Sequence, residues 1–146
     1  MWSHLLINSD RKALLARRTN AKELSTELGK LVFGAKPGIF ACKALIVGED
    51  IDITNFKDVT WAEVSRCEPG KNEYEFPGQY PSIKVIPYVS RRDEADKSLP
   101  GKVVRCCLLP QEFTDEKIHW KECSFKGQFP EDVQRKVLEN WTEYGF

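Results

Sequence analysis

"FACKALIVG", Phe40–Gly48, is a continuous apolar run broken only by Lys43. It is short enough to be a strand, and without polar alternation it reads as a strand buried on both faces. A strand of that kind needs covering layers above and below it, so this stretch decides the fold.

The pattern extends outward in both directions. "TNAKELSTELGKLVFG" places Asn20 three residues before Glu23, a capping-box arrangement, and sets Leu24, Leu28, Leu31 and Val32 at helical spacing. A helix closing at Gly34 is expected, and upstream "SHLLIN" reads as a strand followed by a polar break at Ser9–Arg11. After Gly48 come Glu49, Asp50 and Asp52, then Thr54 and Asn55, either of which suits the N-cap of a helix carrying Trp61, Val64 and Cys67 on one side. Residues 71–81 read as a loop, "SIKVIPYVS" as an edge strand because of Pro87, and "KVVRCCLLP" as a further strand. A final helix is expected from Pro130, with an apolar stripe of Val133, Val137, Trp141 and Tyr144. Strands alternating with helices predict an α/β fold, an α+β sandwich with a mixed sheet flanked by helices, in one domain over residues 1–146.

Composition narrows the function classes. Twenty-two Lys plus Arg balance twenty-two Asp plus Glu, and basic residues form no stripe longer than the short pairs at Arg17-Arg18 and Arg91-Arg92. Without a positive field the counterion-release energy that drives nucleic-acid binding is small, and no nucleic acid is expected as partner. No apolar run approaches the roughly 20 residues of a membrane span, so no membrane partner is expected either. The amino terminus lacks a signal-peptide pattern, and five cysteines, Cys42, Cys67, Cys106, Cys107 and Cys123, form no disulfide framework. A reducing, cytoplasmic setting with buried thiols is the expectation.

The residues that could carry chemistry are few. Glu49, Asp50 and Asp52 could offer oxygen ligands, but their spacing is not that of a calcium loop, and a strand-to-helix connection is the simpler reading. Gly48 stands alone where a phosphate loop needs several glycines. His4 and His119 have no zinc spacing, and no metal is expected. His119, with Asp115, Glu116 and Glu122 nearby, is a candidate general base or a surface histidine. Cys106 and Cys107 are vicinal in a strand, so their side chains point to opposite faces and only one can enter a pocket.

Four separated motifs, "LIVGEDIDITNFKDVTWAEVSRCEPG", "IPYVS", "GKVVRCCLLP" and "SFKGQFPEDVQRKVLENWTEYGF", resemble the carboxy-terminal domain of the UbiD-like decarboxylases. Those enzymes use prenylated flavin mononucleotide to remove CO2 from aromatic and unsaturated acids. The resemblance implies a domain that closes over an active site, adds one wall of the substrate pocket and contributes to a dimer. It also implies that the flavin-binding domain, with its catalytic Glu-Arg-Glu set, has no counterpart in this chain. Carried over position by position, Ile83 and Val85 match the pocket wall, and Lys36 in "GAKPG" is the nearest match to a lysine that reaches the flavin phosphate. Ile83 stands where an aromatic residue is common, and Arg91-Arg92 replace a usual His-Gly.

Three functions follow. The leading expectation is a detached domain repurposed as a small cofactor-independent enzyme of lyase or isomerase type, acting on an unsaturated, aromatic or polyketide-like metabolite. Its acid-base candidates are His119, Tyr88, Glu63 and Cys106, with Ile83, Val85 and Lys36 contacting substrate. The start at Met1 and the end at Phe146 favour that independent unit. The second is a subunit or fragment of a prenylated-FMN-dependent decarboxylase, silent without a separate flavin-binding chain. The third is a non-catalytic homodimerisation module, with the last helix crossing to a partner and Trp141 and Tyr144 as anchors.

Overall fold

The computed structural model describes residues 4–79, 100–118 and 125–145. Ile83, Val85, Tyr88 and His119, with the strand expected in "SIKVIPYVS", lie outside the described residues.

Among the described residues, four strands form one mixed sheet: β1 His4–Asn8, β2 Lys43–Val47, β3 Glu73–Pro77 and β4 Pro100–Cys106, in the order β1-β2-β4-β3. β1, β2 and β4 run parallel, and β3 lies antiparallel beside β4. The apolar run becomes the central strand as its composition predicts: Ala44, Leu45, Ile46 and Val47 are all within 1% of full burial. Alternation divides that strand between two cores. Ala44 and Ile46, with Val104 and Cys106, join Leu14, Leu24 and Phe33 on one face. Leu45 and Val47, with Cys107, join Val59 and Ala62 on the other.

The first face is covered by α1 Arg11–Arg17 and α2 Ala21–Gly34, and the second by α3 Phe56–Arg66. The polar break before α1 is its cap, since Asp10 Oδ1 accepts the Ala13 N–H at 3.0 Å. Asn20 does the same for α2 through the Glu23 N–H at 3.0 Å, and Asn55, not Thr54, caps α3 through the Lys57 N–H at 3.1 Å. Gly29 in α2 lets the sheet approach, because a methyl group there would overlap the Phe76 ring. Phe76 in turn packs edge-on against Phe33, with ring centroids 5.2 Å apart.

Two expectations are corrected. Residues 73–77 form β3 and not a loop, because Tyr74 and Phe76 pair opposite Val104 and Lys102 of β4. α3 does not bury Val64, which is 76% exposed; its inward residues are Val59, Ala62 and Arg66.

Residues 1–116 make one compact unit and 117–146 a second. The second contains α4 Phe125–Gln128 and α5 Glu131–Glu139, with Phe125 and Phe129 rings 5.7 Å apart at their junction. Glu131 and Asp132 sit in the first turn of α5, favoured by the positive end of the helix dipole. The helix stops at Glu139, so Trp141 and Tyr144 fall in the turns that follow it and not on its stripe.

Candidate functional site

The acidic turn after β2 is where β2, α3 and the segment following β4 converge, and each of its carboxylates has a partner. Asp52 Oδ1 accepts the Thr54 N–H at 2.8 Å and its hydroxyl at 2.6 Å, closing a local turn. Glu49 Oε1 accepts the Arg11 N–H at 2.8 Å. Asp50 accepts from both terminal nitrogens of Arg66, one of them at 3.1 Å. The Arg66 side chain is 2% exposed and lies 5.0 Å over the Trp61 ring, so a cation on α3 is buried by stacking and ion pairing. Among the described residues, no three His, Cys, Asp or Glu gather in a way that could hold a metal ion.

Glu112 joins this cluster from the short 3-10 turn Pro110–Phe113. It is 4% exposed, and its Oε1 accepts the Leu109 N–H at 2.9 Å. Burial raises its carboxyl above the ordinary range, and the neighbouring Asp50 adds to this, while the Leu109 N–H, Arg66 and Arg11 pull the other way. A Cβ on Gly48 would lie 2.7 Å from Glu112 Oε2 and 2.8 Å from Asp50 Oδ1, so only glycine lets both carboxyl groups sit against the end of β2. Arg11 completes the arrangement, its guanidinium donating to the carbonyls of Gln111, Thr114 and Glu116 at 3.3, 2.9 and 2.6 Å.

A second charged group lies on the α3 face of the sheet. Leu6, Leu45, Arg105 and Glu73 occupy one row across the four strands. Arg105 bonds Glu63 of α3 and lies 2.8 Å from Glu73 of β3, which ties helix, edge strand and β4 together. Lys102 is a third buried charge, 3% exposed on the opposite face. Its ammonium donates to the Gly38 carbonyl at 2.9 Å and lies 4.9 Å over the Phe33 ring, and burial lowers its pKa.

Of the seven candidates from sequence, Glu63, Cys106 and Lys36 lie among the described residues. Glu63 is held by Arg105 on the α3 face, whereas Cys106 is fully buried on the α2 face, where burial pushes its thiol up. Lys36 is exposed and precedes the 3-10 turn Pro37–Phe40. Three clefts among the described residues are lined by other side chains. A cleft bordering α3 has a volume of 410 Å³ and is lined by Val64, Cys67, Asn72, Leu108 and Leu109, among others. Sequence reasoning missed Arg66, Arg105, Lys102 and Glu112, whose only signal is a charge placed within an otherwise apolar segment or beside one.

Comparison with known proteins places these features in a lineage. The profile of the 3-octaprenyl-4-hydroxybenzoate carboxy-lyase C-terminal domain matches residues 1–107. Ferulic acid decarboxylase 1 of Candida dubliniensis is 34% identical over 99% of this chain, and pyrrole-2-carboxylic acid decarboxylase of Pseudomonas aeruginosa is 33% identical over 99%. The chain spans 28% of the length of each. Vanillic acid decarboxylase of Sedimentibacter hydroxybenzoicus shares the fold, with a TM-score of 0.57 at 13% identity over 97% of this chain and 27% of that one. The UbiD-class enzyme HmfF of Pelotomaculum thermopropionicum, solved in complex with FMN, shares it with a TM-score of 0.56 at 13% identity, over 94% of this chain and 26% of that one. The expectation of a cofactor-independent enzyme is corrected by this kinship, because HmfF, a UbiD-class enzyme of the same fold, is solved with FMN. With 107 of its residues matched by the family profile and its whole length aligned to decarboxylases, the chain belongs to the UbiD family through its carboxy-terminal domain.

Proposed function

We propose that the chain works as the carboxy-terminal part of a prenylated-FMN-dependent decarboxylase of aromatic or α,β-unsaturated acids, together with a separate flavin-binding portion. One observation carries this reading: the alignment to ferulic and pyrrole-2-carboxylic acid decarboxylases runs over almost all of this chain but only 28% of theirs. In this reading Ile83 and Val85 supply the apolar wall of the acid's pocket and Lys36 approaches the flavin phosphate. His119 and Tyr88 serve as acid-base groups at that pocket, while Glu63 and Cys106 serve the sheet, one held in an ion pair and the other enclosed in a core.

The test is reconstitution. The chain is mixed with the flavin-binding portion of the Candida dubliniensis relative, loaded with prenylated FMN. Flavin absorbance is expected to co-elute with the chain, and CO2 release from a cinnamic-type acid is expected only from the mixture. Separate elution with no gain in turnover, or equal turnover by the chain alone, overturns the proposal.

A homodimer formed through the second unit goes with this reading. That unit leaves Phe125, Phe129, Val133, Leu138 and Tyr144 between 38% and 62% exposed and has no buried side chain among its described residues. A nine-residue helix is too short to be stable without a packed face, and an identical chain offers one. Light scattering of the purified chain measures this association directly.

A further inference from the structure

β1 borders the sheet with its outer side open. Among the described residues it pairs with β2 alone, in parallel register from His4 opposite Lys43 to Asn8 opposite Val47. Ser9, the next residue, donates its N–H to the Val47 carbonyl at 2.9 Å. Main-chain groups alternate sides along a strand, so Leu5 and Ile7 also point theirs toward β2, and His4, Leu6 and Asn8 point theirs outward. Among the described residues no main-chain group hydrogen-bonds that outer side. Side chains alternate as well: Leu6 packs against the α3-face core and Ile7 against the opposite one, while Leu5, on the face of Ile7, is 36% exposed. The strand "HLLIN" contains no Lys, Arg, Asp, Glu, Pro or Gly, and so has none of the residues that bar an incoming strand.

We propose that β1 is a docking edge for β1 of a second copy of this chain, the two strands pairing antiparallel about a twofold axis at Leu6. The contact is independent of the decarboxylase reading and separate from the pairing of the second unit. With Leu6 opposite Leu6, His4 of each copy stands opposite Asn8 of the other. These are the three residues whose main-chain groups point outward, so each opposed pair exchanges its N–H···O=C bonds, about six in all.

A second copy is the occupant that this border fits, because the same five residues supply complementary groups on both sides. Leu5 of each copy stands opposite Ile7 of the other, an apolar cross-strand pair made twice. No charge meets a like charge, since the only titratable side chain of the strand, His4, faces an asparagine. The twofold closes the contact at two copies and joins their sheets into one. A five-residue strand offers little area against the roughly 1,200 Å² of a stable interface, so this association is weak and depends on concentration.

The experiment uses the full chain at rising concentration. Amide exchange followed by NMR is expected to slow at Leu6, whose N–H points outward, and to stay unchanged at Ile7, which already faces β2. Leu5→Lys and Leu5→Glu test the register, because Leu5 of the two copies lie diagonally across the contact, about 7–8 Å apart. Each variant alone is expected to associate roughly tenfold more weakly by sedimentation, having lost two apolar pairs and gained a like-charge pair. An equimolar mixture of the two is expected to recover most of that loss through the Lys–Glu pair. Association that both variants leave unchanged, or a mixture no tighter than either variant alone, overturns the proposal. So does a Leu6 amide in the unaltered chain whose exchange ignores concentration. Protection of Leu6 only when the flavin-binding portion of the Candida dubliniensis relative is added assigns the border to that portion and overturns the proposal as well.

Discussion

The two units of this chain solve the same problem in opposite ways. In residues 1–116 the apolar surface is enclosed, with a central strand within 1% of full burial at four successive residues. Among the described residues of 117–146, Phe125, Phe129, Val133, Leu138, Trp141 and Tyr144 are exposed, and no described side chain of α5 is buried. The difference teaches where each unit gets its stability. The sheet unit draws it from its own covalent neighbours, whereas the helical unit depends on a surface that another molecule or segment brings.

The sharpest way to break this comparison is to truncate one apolar residue in each unit. Ile46→Ala empties a fully buried site, and urea denaturation is expected to show a loss of about 2–5 kcal/mol. Leu138→Ala removes a side chain that is 62% exposed. It is expected to change unfolding stability at low protein concentration by under about 0.5 kcal/mol while weakening self-association by light scattering. Equal losses in the two variants would erase the distinction between the units.

A smaller effect tests whether ion pairing is part of the enclosed unit's self-sufficiency. Asp50→Ala leaves the Arg66 guanidinium buried without its carboxylate, and a loss of about 1–3 kcal/mol is expected. Arg66→Met in the same background is expected to recover part of that loss, because it removes the buried charge and keeps the packing on Trp61.

The smallest effect is a pH dependence. Glu112 has its carboxyl raised in the folded chain, so the folded state binds the proton more tightly than the unfolded one. That favours folding at low pH, and the advantage is lost as pH rises from the unfolded carboxyl value, about 4.3, through the raised folded value. Glu112→Gln keeps an oxygen for the Leu109 N–H and carries no titrating group. Its stability relative to the unaltered chain is expected to improve as pH climbs from 4 to 8, read from urea midpoints. A gap that stays constant with pH contradicts the burial argument.

The sequence made the parts governed by local chemistry visible. The apolar run at Phe40–Gly48 announced a strand covered on both sides, and Asn20 and Asn55 announced their helices through side chains that cap free N–H groups. α1 was harder to see, because "RKALLAR" has a single residue, Leu14, that becomes buried, and its start depends on Asp10 within what looks like a polar break. β3 was hidden by flanking turn residues, Pro69-Gly70 before it and Pro77-Gly78 after it, and its pairing comes from a strand more than twenty residues away. Arg66 shows the deeper limit. Hydrophobic periodicity assigns a charged residue to solvent, yet Asp50, sixteen residues earlier, and Trp61 together make burial favourable and turn α3 so that Val64 faces outward. A pattern of residue types cannot show a charge neutralised by a partner from another element. Of the candidate site only Glu63, Cys106 and Lys36 lie among the described residues, and Glu63 and Cys106, chemically apt as residue types, sit on opposite faces of the sheet.

The outer strand β3 has a consequence for how such chains meet. Among the described residues it pairs only with β4, and it is five residues long, carries Glu73 and Glu75 and ends in Pro77. Short length, negative charge and a residue lacking an N–H each discourage a foreign strand from extending the sheet. Extension of the sheet by a foreign strand along β3 is thus disfavoured from the outset, so the chain can carry sticky helical surfaces elsewhere without that hazard being compounded at this border.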